Sequence, residues 1–419
     1  MNQYAFVLGH YPEFSALEIF VVLKNAKIKF NVVECAREIL LITTDQVIDQ
    51  DVLPSKLGGT IKLIQILGVI STDKVAENLT EKFRDKNFVD KLTGNIEKVH
   101  FGISFYQLNS TVNSYDYFNK NCLKLMKQIK LNLNSLNIKS GFLLPKEPVL
   151  SSVSVTKNKL ITKGFELIII FNKNNCLIGK TMAVQPFEDF SFRDFGRPER
   201  DSLSGMIPPK LARMMLNIAG LNDKTNYLDP FCGSGTFIQE AILLDCQNIT
   251  ASDISPKAVS DTKQNIQWLQ EKYPLRDLNL EISLRDVAEL HRQNLNIDLI
   301  ATEPYLGSPN SKLFTNNQLQ KEINMLQELY LNAFKSFAKI LKPKGKVIIV
   351  LPVFKQKNNY LSLNVLKQIT NSGFRQIYLT SQEFIGRKLD FFNTSPRGTL
   401  LYGRDNQTVL REIAFFEKI

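Results

Sequence analysis

From residue 226 onward, short apolar runs that stop at a polar side chain alternate with longer stretches whose apolar residues recur every three or four positions. The runs at 226–229, 248–253, 280–285, 297–302 and 346–351 predict strands; the stretches at about 236–245, 255–271, 318–341 and 361–372 predict helices. Strands alternating with helices imply a doubly wound, parallel α/β sheet with ligands at the carboxyl ends of its strands. At the tail, 397–403 and 408–416 flank Asp405-Asn406 and predict an antiparallel hairpin that closes the sheet. Ahead of the sheet, Pro208-Pro209-Lys210 opens a helix that Gly220 ends.

The first 185 residues follow an irregular α+β pattern. Residues 4–8, 101–106, 150–155 and 167–171 predict strands. A helix is expected from Pro12, with Ser15 and Glu18 spaced as a capping box. Residues 114–136 predict an amphipathic helix carrying Lys120, Lys124, Lys127 and Lys130. Between 186 and 209, aromatic residues alternate with arginines and acids, which is not the composition of a flexible linker. The expected organisation is an N-terminal α+β region (1–185), a structured linker (186–205) and an α/β domain (206–419).

Composition narrows the classes. The chain has 419 residues, enough for two or three domains, with 44% apolar content. It has no uncharged apolar run of about 18 residues, and its N-terminus lacks a secretory pattern. Five scattered cysteines without a CxxC pair or a Cys/His cluster argue against a zinc site or a disulfide framework. A cytoplasmic location and no metal are expected. The net charge of +11 and pI of about 9.2 fit either a polyanionic partner or a lysine-rich solvated surface.

The candidate chemistry starts at Tyr227-Leu228-Asp229-Pro230-Phe231-Cys232-Gly233-Ser234-Gly235-Thr236. An apolar run ends at an acid, a Gly-Ser-Gly turn follows, and an apolar helix begins. This is where an α/β sheet binds a nucleotide-like ligand. Asp229 would repel a pyrophosphate but suits a ligand with a cationic end. With no histidine near it in sequence, Cys232 reads as a small turn residue rather than a nucleophile.

Three more acids stand where successive strands should stop. Asp253, 24 residues after Asp229, is placed to take ribose hydroxyls, and Ile254 follows it. Asp286 is placed to accept an adenine amine, with Val287 against the ring. Glu303 begins Glu303-Pro304-Tyr305-Leu306-Gly307. Each acid taken alone is equally a helix cap; the series ending successive strands, beside the glycine turn, is the specific signal.

These residues resemble the Rossmann-like, S-adenosylmethionine-dependent methyltransferases. Residues 229–236 look like that superfamily's cofactor loop, and 302–307 fall where nucleic-acid amino-methyltransferases carry Asp/Asn-Pro-Pro-aromatic. Arg193-Asp194, Arg197-Pro198 and 205–213 look like the tRNA guanine-N2 methyltransferases that carry a THUMP RNA-binding domain. Residues 150–153, Gly179-Lys180-Thr181 and Val184-Gln185-Pro186 fit the end of a THUMP region. The resemblance implies S-adenosylmethionine as cofactor, held by Asp229, Phe231, Cys232, Gly233, Gly235, Thr236, Asp253, Ile254, Asp286 and Val287. It implies tRNA as partner, a guanine near position ten as target, and Glu303, Pro304 and Tyr305 as catalytic residues. Glu303 and the Pro304 carbonyl would accept the amine hydrogens while Tyr305 stacks on a flipped base.

The fourth-strand motif departs from the family pattern: the acid is Glu303, one proline follows, and Tyr305 comes one place early. That leaves open a DNA amino-methyltransferase, or a non-catalytic RNA-binding protein with a degenerate methyltransferase domain. A dinucleotide dehydrogenase fits poorly, because Asp229-Pro230 and the missing third glycine break its fingerprint. Arg193, Arg197, Arg200 and Lys210 are candidates for phosphate or cofactor-carboxylate contacts, or for salt bridges to Asp194, Glu199 and Asp201.

Overall fold

The computed structural model describes every residue except 95, 97, 174, 201–205, 309, 357–358 and 405–406. Asp201, Gly205 and the Asp405-Asn406 turn therefore lie outside the described residues. The chain divides into two compact units, Met1–Ile19 with Leu23–Phe187 and Phe20–Val22 with Glu188–Ile419.

In the first unit the strands are β1 (Asn2–Leu8), β2 (Phe30–Cys35), β3 (Ile39–Thr44), β4 (Thr60–Ser71), β5 (Lys98–Gln107), β6 (Lys139–Phe142), β7 (Gly164–Phe171) and β8 (Asn175–Val184). They form one sheet in the order β2-β3-β1-β4-β8-β7-β5-β6, antiparallel except where β5 meets β6 and β7. The helices are α1 (Pro12–Asn25), α2 (Val52–Lys56), α3 (Val75–Lys82), α4 (Lys86–Thr93), α5 (Ser114–Ser135) and α6 (Ser152–Lys157). Asn113 caps α5 by accepting from the Tyr115 and Asp116 amides. Helical spacing then sorts α5 into two faces: Phe118, Cys122, Leu125, Met126 and Ile129 are buried, and the four predicted lysines are exposed.

At the centre of this sheet is a buried charge pair. Lys62 Nζ lies 2.5 Å from Glu166 Oε1 and donates to the Leu150 carbonyl at 2.7 Å. Ser104 and Thr181 donate to the same carboxylate. Satisfying every oxygen in this way is the condition for burying such a pair.

The second unit contains α7 (Phe187–Phe195), α8 (Pro209–Ala219), β9 (Asn226–Asp229), α9 (Thr236–Leu243), β10 (Asn248–Asp253), α10 (Pro256–Lys272), β11 (Asn279–Leu284), a 3₁₀ turn (Val287–Arg292) and β12 (Ile297–Thr302). It continues with α11 (Asn316–Ile340), β13 (Leu341–Gln356), β14 (Asn359–Ser362), α12 (Leu366–Asn371), β15 (Phe374–Ile377), α13 (Ser381–Ile385), β16 (Leu400–Tyr402) and β17 (Val409–Lys418). The sheet order is β11-β10-β9-β12-β13-β17-β15. The first five strands are parallel, and β17 runs antiparallel between β13 and β15. The order reverses between β9 and β12, so the crevice at their carboxyl ends is the switch point where such sheets bind ligands.

The expected α/β sheet is present, with local differences. Residues 152–157 form a helix, not a strand: the alternation of Val153 and Val155 mimics a strand, but the Ser151 side chain accepts from the Ser154 amide and starts a turn. Ser15 and Glu18 are not a capping box. The helix starts at Pro12, Ser15 donates to the Gly59 carbonyl, and Glu18 accepts from the Gly58 and Gly59 amides. The stretch read as one helix from 361 divides, because β14 pairs with the extended end of β13 before α12 begins. In the tail β16 does pair with β17, but β15 joins the same side of β17 at Phe415–Lys418, so the hairpin does not close the sheet alone.

Lys62→Met should destabilise the first unit by about 3–5 kcal/mol, because it leaves a buried carboxylate unpaired. Lys62→Met with Glu166→Leu should recover most of that loss. Chemical denaturation measures both; a single-variant loss below about 1 kcal/mol would mean the pair does not hold this sheet.

Candidate active site

Four acids end, or directly follow, neighbouring parallel strands, as the sequence pattern requires. Asp229 closes β9, Asp253 closes β10, Asp286 follows β11 and Glu303 follows β12. They do not end level: Ala251 pairs with Asp229, so β10 runs two residues further. The crevice left at these ends is a cavity of about 370 Å³, within the size of small-ligand sites. Its wall brings together nine of the predicted residues: Phe231, Cys232, Gly233, Thr236, Asp253, Ile254, Glu303, Pro304 and Tyr305.

The glycine turn is fixed by its own backbone. Gly235 donates to the Cys232 carbonyl at 2.8 Å, and Cys232 donates to the Ser252 carbonyl at 3.0 Å. Gly235 has φ +82°, and a Cβ there would meet Thr262 at 3.0 Å, so this position requires glycine. Asn265 Nδ2 donates to the Ser234 carbonyl, and Thr262 Oγ1 to that of Gly233. Asp253 joins the turn from β10: one oxygen accepts from the Gly233 amide at 3.0 Å and the other from the Ser255 amide at 2.9 Å. Ile254 beside it is 69% exposed, an apolar side chain left at the cavity mouth.

Asp229 is buried. Its Oδ1 accepts from Thr302 Oγ1 at 2.6 Å and from the Phe231 amide at 3.2 Å. Its Oδ2 is buried with no hydrogen-bond partner among the described residues. Burial pushes its pKa up to about 7; the two hydrogen bonds oppose that rise, and the charges of Asp253 and Glu303 add to it. Burial likewise raises the Cys232 thiol, with Asp229 adding to the effect, so Cys232 is a neutral turn residue rather than a nucleophile.

Glu303 is also nearly buried, but it is answered. Arg411 from β17 forks onto it, Nε to Oε1 and Nη2 to Oε2 at 3.3 Å. Burial raises the Glu303 pKa and the guanidinium opposes that rise. Pro304 is buried, and Tyr305 is 47% exposed with its hydroxyl 3.4 Å from Glu322 Oε1. Glu322 also accepts from the Ser308 amide at 2.9 Å, so α11 holds the 305–308 segment.

Several predicted roles change. Asp286 and Val287 are not in the cavity wall. Asp286 caps the 3₁₀ turn by accepting from the Ala288 amide, and Val287 packs in the core with Leu228 and Leu290. Arg193 is 2% exposed and paired at 2.6 Å with Glu240, which also binds Arg213. It bridges α7 to α9 and presents no guanidinium to a phosphate. Arg197 is also buried: it donates to Thr236 Oγ1 at 2.6 Å and to Met206 Sδ at 2.9 Å, bracing the glycine turn from behind. Neither arginine pairs with Asp194 or Glu199. Arg200 is exposed over Phe195, and Lys210 is half-buried over Phe190.

Sequence reasoning missed Thr302, Met206 and above all Arg411. The available signal for Arg411 was an arginine inside a run of strand-forming residues, which has to find a partner when buried. That its partner is Glu303, 108 positions earlier, is visible only in the fold.

The donor set fits S-adenosylmethionine. A buried carboxylate oxygen without a partner sits at the end of β9, two residues before the cavity wall at Phe231. That is an environment for a ligand's cationic end, and the glycine turn lets backbone approach it. Among the described residues no His/Cys/Asp/Glu cluster could hold a metal, and no helix is long and apolar enough to cross a membrane.

Linkage gives a test that needs no ligand. Between the ordinary carboxyl range and about pH 7, folded Asp229 holds a proton that the unfolded chain has lost, so stability falls as pH rises through that window. Asp229→Asn should therefore stabilise the ligand-free protein by about 1–3 kcal/mol above pH 7, with little gain near pH 4. Thermal denaturation across pH measures this; an equal loss at every pH would contradict it.

Residues 197–376 match the family described as RMKL-like, methyltransferase domain. A tRNA (guanine(10)-N2)-dimethyltransferase of Methanothermobacter thermautotrophicus is 35% identical over 103 residues, 25% of this chain and 28% of the relative. The enzyme of the same name from Methanocaldococcus jannaschii is 27% identical over 190 residues, 43% of this chain and 48% of the relative. The chain thus matches less than half the length of either curated relative. The crystal structure of TrmN from Thermus thermophilus superposes with a TM-score of 0.54 at 13% identity, covering all of both chains, which is a likeness of fold. The matched residues 197–376, somewhat under half of the chain, carry the strands at whose carboxyl ends the cavity lies, so the likeness to the RMKL-like methyltransferase domain covers the part of the chain that forms the site.

Proposed function

We propose that this protein is an S-adenosylmethionine-dependent RNA methyltransferase that modifies the exocyclic N2 amine of a guanine in tRNA. The observation that carries the reading is the contrast between two acids at neighbouring strand ends: Asp229, buried two residues before the cavity wall with an oxygen unpartnered, and Glu303, held by Arg411 on that wall. When bound, S-adenosylmethionine supplies an electrophilic methyl group. Asp229 would answer its cationic end, Asp253 would take its ribose hydroxyls, and Phe231, Ile254 and the glycine turn would line its adenosyl side. Asp286 and Val287 take structural roles instead.

At the acceptor, the N2 amine is a weak nucleophile because its lone pair is delocalised into the ring. Glu303 and the Pro304 carbonyl accept its two hydrogens, which lets the lone pair localise, and Tyr305 stacks on the flipped base. As the methyl group passes from the sulfonium to the amine nitrogen, the S–C bond would break with its electron pair left on sulfur as a neutral thioether, and the amine's surplus proton would pass to Glu303. The tRNA assignment draws on the two curated relatives, both tRNA (guanine(10)-N2)-dimethyltransferases, and on the net charge of +11. The first unit is then the THUMP-like, RNA-binding part. The exposed lysines of α5 are its phosphate-contact candidates, Arg200 and Lys210 are those of the second unit, and the setting is cytoplasmic.

Incubation of the protein with labelled S-adenosylmethionine and bulk tRNA, followed by digestion, should yield N2-methylated guanosine. Label in DNA but not in tRNA would overturn the substrate. Glu303→Ala should lower transfer by roughly 100-fold or more while leaving cofactor affinity nearly intact; unchanged transfer would remove Glu303 from the mechanism. Asp229→Asn should instead lose cofactor binding.

A further inference from the structure

Arg411 stands in β17, where Pro352 of β13 pairs with it on one side and Tyr402 of β16 on the other. It opens a strand segment, Arg411–Phe416, that is buried throughout. An apolar pair of similar size in place of Arg411 and Glu303 would serve the sheet as well, since buried ion pairs add little net stability over well-packed apolar substitutes. The arginine is therefore explained by what it holds. Its side-on fork uses one hydrogen on each Glu303 oxygen, and Nη2 makes a further bond to the Met206 carbonyl at 3.3 Å. Both side chains are only about a tenth exposed, 9% and 10%. A carboxylate has about four lone-pair sites, so this fork leaves each oxygen one more hydrogen to accept.

We propose that Arg411 is the positioning residue for Glu303: it fixes the carboxylate at the cavity wall, keeps it ionised, and leaves its remaining lone pairs for the acceptor's amine hydrogens. This rests on the reading of Glu303 as the amine's acceptor. Three groups interact with the Glu303 charge: Arg411 from β17, Asp229 from β9 and Tyr330 from α11. Of these only Arg411 is a cation, and it opposes the effect of burial on Glu303. Met206 shares in the arrangement: its carbonyl accepts from Arg411, and its sulfur accepts from Arg197 and from Ser234 in the glycine turn. The one guanidinium thus ties the acceptor end of the cavity to the segment that leads into α8.

The test compares the parent protein with Arg411→Met, Arg411→Lys and the double variant Glu303→Gln/Arg411→Met, each read in two ways. In the pH–rate profile for tRNA methylation, Arg411→Met should move the acid limb to higher pH by one unit or more and lower kcat by about tenfold or more. KM for S-adenosylmethionine should stay nearly constant, and Arg411→Lys should restore most of the limb's position. An acid limb that stays in place in an active Arg411→Met enzyme overturns the proposal. The second reading is ligand-free thermal stability from about pH 5 to about pH 8. Without the guanidinium the folded state holds the Glu303 proton to higher pH, so the gap between parent and Arg411→Met should widen as pH rises. The double variant should remove that widening, and this second reading is made in an Asp229→Asn background, so that the titration of Asp229, which the Glu303 charge itself moves, does not enter. A gap that is constant with pH overturns the proposal. If no protein methylates tRNA while the gap behaves as stated, the reading of the function has failed and Arg411's hold on Glu303 stands.

Discussion

The site turns on one desolvated charge. Asp229 is placed at the end of β9 by a parallel strand whose neighbours cover it on both sides, and only one of its oxygens is satisfied. Burial without a counter-charge costs free energy that the fold itself does not recover. The surrounding structure is nonetheless arranged to keep it there: Thr302 and the Phe231 amide donate to Oδ1, and the turn to Thr236 is pinned from α10. A strained arrangement of this kind is retained where a ligand completes it. Glu303 is its opposite. It is equally withdrawn from water, but the protein supplies its cation from β17. One acid is buried without a counter-charge, and the other has its cation supplied by the fold. That pushing apart of two carboxylate environments is the basis on which the proposed function gives them different roles.

Much of this was legible in the sequence, for local reasons. The glycine turn and the strand-end acids are contiguous signals, because a strand must stop before a tight turn and the acid marks the stop. Asp253 shows how function and capping coexist: its two oxygens take the Gly233 and Ser255 amides, so it is both turn clasp and cavity wall. Asp286 has the same sequence signature but only the capping half of that role. The difference is set by how far β10 and β11 run relative to β9, which is a property of register and not of composition. Arg193 and Arg197 show the complementary error. A cluster of arginines reads as an anion site, yet the carboxylate that takes Arg193 is Glu240, and Thr236 takes Arg197; both partners lie about forty positions later. Arg411 was invisible for the same reason, its partner being more than a hundred residues away.

In the first unit the same physics serves architecture. Lys62 and Glu166 are buried together with every oxygen of the acid answered, and Lys62 also holds the carbonyl of Leu150. The segment that leads into α6 is thereby tied to the middle of the sheet, which the strand-like alternation of its valines concealed. The exposed lysines of α5 lie opposite a buried face that is apolar except for Asn132, so this part of the chain's basic character is placed on a surface and not in the core.

The central claim concerns the ionisation of Asp229 and is open to direct observation. Carboxyl ¹³C NMR of aspartate-labelled protein, with the Asp229 resonance assigned by its loss in Asp229→Asn, reports that pKa with and without S-adenosylmethionine. The account predicts a value of about 7 in the ligand-free protein and a marked fall when the cofactor binds. An ordinary carboxyl value of about 4 in both states would contradict it.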